Sequence, residues 1–197
     1  MLAIEDLKKC ADFHGHICPG LILGYKAAKL GMEKLNEQRA EDEEMAAIIE
    51  TDACCSDAVQ VLTGCTFGKG NFIYRDYGKM AFTFFSRKTG QGVRVSMKPG
   101  AMELGDEHRN LLQKVMSGSA SQEEQKRFEE LHFERSCLIL EKPSEYLFNI
   151  SPVKEEMPSK ARIEPSVICS CCKEPTMPSK TQKKGDQTLC RGCAVSE

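Results

Sequence analysis

The apolar positions of this chain change their period several times, and each change marks an element. Apolar residues recur at helical spacing within 4–10 and then at Leu21, Tyr25, Ala28 and Met32, which predicts a short first helix and a second from Pro19 to about Leu35. Pro19 suits a first helical position, where its missing N–H leaves no bond unmade. Met45-Ala46-Ala47-Ile48-Ile49 is a continuous apolar run and predicts a buried strand. A short helix carrying Ala58, Val59, Val61 and Leu62 should follow, capped by Ser56 or Asp57 and ended by Gly64. From Lys79 to Lys98 the pattern alternates about the turn Lys88-Thr89-Gly90-Gln91-Gly92, with Met80, Phe82 and Phe84 before it and Val93, Val95 and Met97 after; this predicts a β-hairpin. Two helices come next, over 106–116 and from Ser121 to about Leu140, the second opened by a Ser121/Glu124 capping box. Tyr146–Ile150 predicts a last short strand.

The pattern defines an α+β fold in three parts. Residues 1–151 form a core with a small sheet and flanking helices. Residues 152–165, punctuated by Pro152, Pro158 and Pro165 among charged side chains, read as a linker, and 166–197 as a small cysteine-bearing domain. With 41% hydrophobic residues and a formal net charge of -2, the chain is an ordinary globular protein with no general affinity for nucleic acid. Glu5 and Asp6 stand where a secretory leader would be basic and then apolar, and no run approaches the roughly 20 apolar residues a membrane span needs. The expected compartment is the cytoplasm, with no membrane partner.

Eleven cysteines in a reducing cytoplasm point to metal rather than to disulfides. Cys169 and Cys172 are two residues apart, as are Cys190 and Cys193, and seventeen residues lie between the pairs. Each pair makes a tight knuckle, and four thiolates complete a tetrahedral zinc shell of the zinc-ribbon or treble-clef kind. So small a segment cannot bury enough apolar surface to offset its chain entropy without such a staple. Cys171 lies inside the first knuckle and is read as a spectator. Lys180, Lys183 and Lys184 make the tail mildly basic but without an aromatic to stack on bases, so a nucleic-acid role for it is not favoured. Cys10 and Cys137 read as small packed side chains.

Two core segments concentrate the remaining chemistry. In Phe13-His14-Gly15-His16-Ile17-Cys18-Pro19-Gly20, an extended turn would point His14, His16 and Cys18 in one direction, beside glycines that permit close backbone approach. The second segment, from Asp52 to Asn71, holds Cys54, Cys55, Asp57, Cys65, Thr66 and Lys69. Gly64-Cys65-Thr66-Phe67-Gly68-Lys69 has three residues between its glycines where a phosphate loop has four, and Gly70 rather than Ser or Thr after the lysine, so it is not a nucleotide site. Both segments join loops to helix starts, where exposed N–H groups and the helix dipole favour thiolates. His14, His16, Cys18, Cys54 and Cys65 are therefore expected to converge in one pocket, with Lys69 and Asp57 at its edge. Such a set suits a soft or borderline divalent ion, zinc first, with nickel or iron as alternatives.

His14-Gly15-His16-Ile17-Cys18-Pro19-Gly20, the run from Asp57 to Asn71 and the hairpin after it together resemble the E-subunit family of formylmethanofuran dehydrogenase across essentially the whole core. The resemblance implies an α+β core, a carboxy-terminal zinc finger in some members and an intertwined homodimer. It matches Cys54 to the family cysteine before the Asp-Ala-Val-Gln motif and leaves Cys55 at a variable position. The family name implies a partner role beside other subunits of a tungsten- or molybdenum-dependent dehydrogenase, on which the redox cofactor resides. Three functions follow as expectations. The chain is an accessory subunit or metal-dependent factor; or a metal sensor or regulator using its finger for protein or nucleic-acid contact; or an enzyme, with Lys69, Asp57 or His14 moving protons beside an open metal position.

Overall fold

Met45–Ile49 (β1), Phe72–Tyr74 (β2), Ala81–Ser86 (β3), Gly92–Met97 (β4) and Phe148–Pro152 (β5) pair into one mixed sheet in the order β2-β1-β3-β4-β5. β1 and β2 run parallel, and the other neighbours are antiparallel. The computed structural model places residues 2–195, with side chains described from residue 5 to 195. The chain divides into two units between Lys160 and Ala161.

The uninterrupted apolar runs are explained by burial on both faces. Every residue of β1 and of β3 is buried. On one face Ala47, Ile49, Phe82, Phe84, Val93 and Val95 join a core with the helix Pro19–Leu35 (α2). On the other, Ala46, Ile48 and Phe85 are covered by Ile73 and by Val153 and Met157, from the segment after β5. That segment was expected as linker; its first half instead closes the sheet. Arg75 pairs with Glu155 at 2.5 Å, and Arg87 donates from Nη1 to the Pro158 carbonyl at 2.8 Å and from Nη2 to that of Ser159 at 3.2 Å.

The remaining helices are Leu2–His14 (α1), Cys55–Thr63 (α3), Asp106–Met116 (α4), Gln122–Glu141 (α5) and Ser144–Leu147 (α6). The Ser121 capping box forms as read, with its hydroxyl accepting from Glu124 N–H. The α3 cap differs from expectation, because Cys54 takes the N-cap position. Ser56 Oγ donates back to the Thr51 carbonyl at 2.9 Å instead, and Asp57 is engaged elsewhere. Residues 146 and 147 belong to α6 rather than to a strand, and β2, three residues long, carried no alternating signal to be read. No described helix is long and apolar enough to cross a membrane.

The second unit contains two short antiparallel pairs, Val167–Ile168 (β6) with Pro175–Thr176 (β7) and Thr181–Lys184 (β8) with Gln187–Cys190 (β9), and ends in the helix Arg191–Val195 (α7). Ser170 joins the pairs by donating its N–H to Thr188 O at 2.8 Å and accepting Thr188 N–H on its hydroxyl at 3.0 Å.

Candidate metal centres

Three helix ends meet at the core site. α1 runs one turn further than its apolar spacing predicts and ends in His14 itself. Gly15 then turns the chain at φ +95, a left-handed conformation in which a side chain is strained. Cys18 follows in extended backbone as the N-cap of α2, its sulfur accepting from Leu21 N–H at 3.4 Å. Cys54 arrives from the start of α3, brought close because α2 has no side chains where the two helices cross. A Cβ on Gly20 would stand 3.2 Å from Cys54 Cβ, and one on Gly24 would overlap the Cys55 carbonyl. One donor atom each from His14, Cys18 and Cys54 thus lies within 4.8 Å of the others.

The orientation of His14 shows what this cluster is built for. Its Nδ1 is 2.7 Å from Asp57 Oδ2, which accepts the ring proton and leaves the Nε2 lone pair facing Cys18 Sγ at 3.8 Å. Two ligands of one tetrahedral zinc, with Zn–N about 2.05 Å and Zn–S about 2.3 Å, stand about 3.6 Å apart. A carboxylate on the far nitrogen of a ligand histidine fixes its tautomer and strengthens it as a donor. Burial pushes the Cys18 thiol up to about 11; the Leu21 N–H works against this and Cys54 adds to it. The expectation that helix starts would favour the thiolate here is therefore reversed in the free protein, since loss of water outweighs one N–H contact. A divalent cation would supply the compensating charge, and the group could hold one.

Not all of the expected residues gather there. Cys65 is fully buried just beyond the other end of α3, a nine-residue helix about 13 Å long, and lies outside the cluster. Burial pushes its thiol up to about 11, as for a packed apolar side chain. Lys69 also lies away, donating to the carbonyls of Glu41 at 2.8 Å, Gly64 at 2.9 Å and Asp42 at 3.4 Å. With the fully buried Asn71, which donates to Met45 O at 3.0 Å and accepts Thr66 N–H at 3.0 Å, it fixes the loop before β1. The second half of the Asp57–Asn71 motif is scaffold. His16 is exposed, its ring 4.6 Å from that of His14 but outside the donor cluster. Cys55 is buried with its thiol 3.7 Å from the Ala53 carbonyl, and burial raises it to about 12.

Sequence reading missed a second histidine pair. His108 Nε2 and His132 Nδ1, on α4 and α5, meet at 3.0 Å beside the Phe128 ring. Their separation of 24 residues across a helical turn left no local pattern to find. The crossing glycines did leave one, since Gly20 and Gly24 are four apart on a helix and therefore share a face.

In the second unit, one sulfur each from Cys169, Cys172, Cys190 and Cys193 lies within 4.8 Å of the others. Cys172 and Cys190 sulfurs are 4.0 Å apart, where two zinc thiolates at a tetrahedral angle stand about 3.8 Å apart. β9 and α7 aim backbone N–H groups at sulfur: Cys190 N–H donates to Cys169 at 3.3 Å and Cys193 N–H to Cys190 at 3.4 Å. The Cys190 N–H draws the Cys169 thiol down to about 6, while the neighbouring Cys190 thiol pushes Cys193 up. Four sulfurs this close cannot all ionise alone, which is the situation a bound cation resolves. Cys171 is exposed and outside the cluster.

A mixed five-stranded sheet whose covering helices end in a His/Cys/Cys cluster, followed by a unit organised around four cysteines, defines an α+β protein with two candidate metal centres. The chain belongs to the FmdE family: residues 13–149 match the family described as "FmdE, Molybdenum formylmethanofuran dehydrogenase operon". Among solved structures it is similar to an FmdE-like protein of the tungsten formylmethanofuran dehydrogenase type from Syntrophus aciditrophicus, with a TM-score of 0.62 and 28% identity over 99% of this chain and 93% of that one. A protein of Archaeoglobus fulgidus named "Probable S-adenosyl-L-methionine-binding protein" is 36% identical over 96% of this chain, which spans 52% of that relative's length.

Proposed function

We propose that this FmdE-family chain holds two metal ions and acts as an accessory subunit or metal-dependent factor beside a formylmethanofuran dehydrogenase. Zinc suits the four thiolates of the tail, where it staples a segment too small to fold on apolar burial alone. A second divalent ion belongs with His14, Cys18 and Cys54; zinc is the first reading from the donor types, and nickel and iron also suit them. The observation that carries this reading is the His14–Asp57 contact of 2.7 Å, which turns the unprotonated ring nitrogen toward two cysteines. Three protein donors leave a fourth position open, and an ion bound there would supply Lewis acidity. Asp57 acts on the histidine rather than as a free base, and Lys69 is committed to backbone carbonyls. His16, exposed beside the His14 ring, is the side chain free to exchange a proton near that position. The S-adenosyl-L-methionine in the Archaeoglobus relative's name belongs to a protein of which this chain spans 52%. The donor cluster of His14, Cys18 and Cys54 suits a metal ion.

Elemental analysis of purified wild type, Cys18→Ser and Cys190→Ser tests the proposal. Two metals per wild-type chain and one in each variant are expected, with amide protection lost only in the tail of Cys190→Ser. A wild-type chain with one metal, unchanged by Cys18→Ser, would overturn the core site; zinc content unchanged in Cys190→Ser would overturn the tail site.

A further inference from the structure

Between α1, the second half of α2 and the second half of α3 lies a cavity of about 680 Å³ that the metal reading does not use. Its volume is within the range of small-molecule sites, roughly 300 to 1,000 Å³. The floor is apolar: Met32, Val61 and the buried Leu62 line it. Phe13 stands at its rim with 61% of its surface exposed.

The charge on the walls is one-sided. Lys9, Lys29 and Arg39 face the cavity against the carboxylate of Asp6, in a chain whose net charge is -2. Asp6 is shared, pairing with Lys29 and lying 3.9 Å from Lys9, which also meets Glu5 at 3.3 Å. Arg39 is fixed through its Nε, which donates to the Val61 carbonyl at 3.0 Å. That contact anchors the guanidinium and leaves its outer nitrogens for a planar anion, the pairing for which arginine is suited. Gln38, Gln60 and Thr66 add neutral hydrogen-bonding groups around the same opening.

We propose that this cavity binds a small organic anion, a carboxylate or phosphate monoester carrying an aromatic or apolar body, with Arg39 holding the anion and Phe13 and Met32 packing against the body. Its place is also informative. Phe13 directly precedes His14, and Gln60 and Val61 lie one turn along α3 on the face that carries Asp57, so the ligand sits on the two helices that bring donors to the core centre.

Binding by the full chain is read from amide shifts in NMR titrations with benzoate, phenyl phosphate and uncharged benzyl alcohol. The anions should bind saturably, with shifts confined to the cavity walls, and benzyl alcohol at least about tenfold more weakly, the scale expected for losing a charge-assisted hydrogen bond. Arg39 is exposed, so Arg39→Gln should leave the fold intact and weaken the anions about tenfold, whereas Arg39→Lys should retain part of the affinity. Equal binding of anions and alcohol, or anion binding unaltered in Arg39→Gln, would overturn the proposal, as would the absence of saturation by either anion. Stronger binding of benzoate than of phenyl phosphate, or the reverse, assigns the head group. Repeating the titration in Cys18→Ser separates this site from the core metal, since the cavity should still bind there.

Discussion

Both ring nitrogens of His14 have a defined role, and the assignment rests on one carboxylate. With Asp57 at 2.7 Å accepting from Nδ1, the imidazole is held in the tautomer and rotation that present Nε2 to Cys18 and Cys54. Asp57→Asn preserves size but removes the charge that strengthens the donor, and losing such a partner typically weakens a metal site about 10- to 100-fold. Chelator competition should therefore strip the core ion from this variant first while the tail ion is held as in wild type; equal retention of both would show that Asp57 does not orient the ligand. His108, buried, and His132, half-buried, make the opposite use of imidazole, facing each other at 3.0 Å. Burial is the main cause that lowers both below the ordinary value of 6.5, helped by Arg135 at His108 and by His108 and His16 at His132; Glu107 pulls His108 the other way. The unfolded chain takes up these protons at a pH where the folded chain does not, so stability falls as pH drops through about 6.5 and levels off below the folded pKa values. Melting temperatures between pH 7.5 and pH 5 should fall less steeply in His108→Phe than in wild type, and parallel slopes would exclude the pair as the cause.

Among the elements, what was legible followed from whether its cause was local. The α2 start at Pro19, the hairpin about Gly90 and the Ser121 capping box depend on residues within one turn of each other, and all three form. The end of α1 was not legible, because Gly15 stops the helix only after His14 has joined it, and a polar histidine carries no apolar period. Cys18 and Cys54 meet through an α2–α3 crossing of which Gly20 and Gly24 mark the face on α2 but nothing local names the partner helix, whereas Cys65, attractive for its neighbours in sequence, is separated from them by the length of α3. The crossing rests on Gly24, whose backbone approaches Cys55 so closely that a methyl group would overlap the carbonyl. Gly24→Ala should push the two helices apart, destabilise the core by about 1 to 3 kcal/mol as overpacking does, and lower core metal affinity without touching the tail. Gly105→Ala, where a Cβ meets nothing within 4 Å, is the control. A Gly24→Ala protein that melts with wild type and keeps its core ion would remove the close crossing from the account of the site.

At the scale of the whole molecule, the core unit leaves apolar surface that its own packing does not use. α5 is twenty residues long, yet only Ser136 and Ile139 are buried, while Phe133, Leu138 and Leu140 stand exposed along it and Tyr146 just beyond it. Phe133 and Leu140 are seven residues apart and so share one face of the helix, where exposed apolar side chains suit an interface, whereas Leu138 lies on another face. The homodimer implied by the resemblance to the FmdE family would cover this face with a second copy of the chain. Obligate homodimers commonly bury about 2,000 Å² or more, so dilution should not readily separate the protomers. Light scattering at micromolar concentration should give about twice the chain mass of 22.0 kDa. Phe133→Glu with Leu140→Glu, which places charge on the exposed face without disturbing Ile139, should give monomers that keep the helical signal of wild type. A mass near 22.0 kDa for the wild-type protein would exclude the dimer, and a dimer unaffected by the double variant would move the interface away from α5.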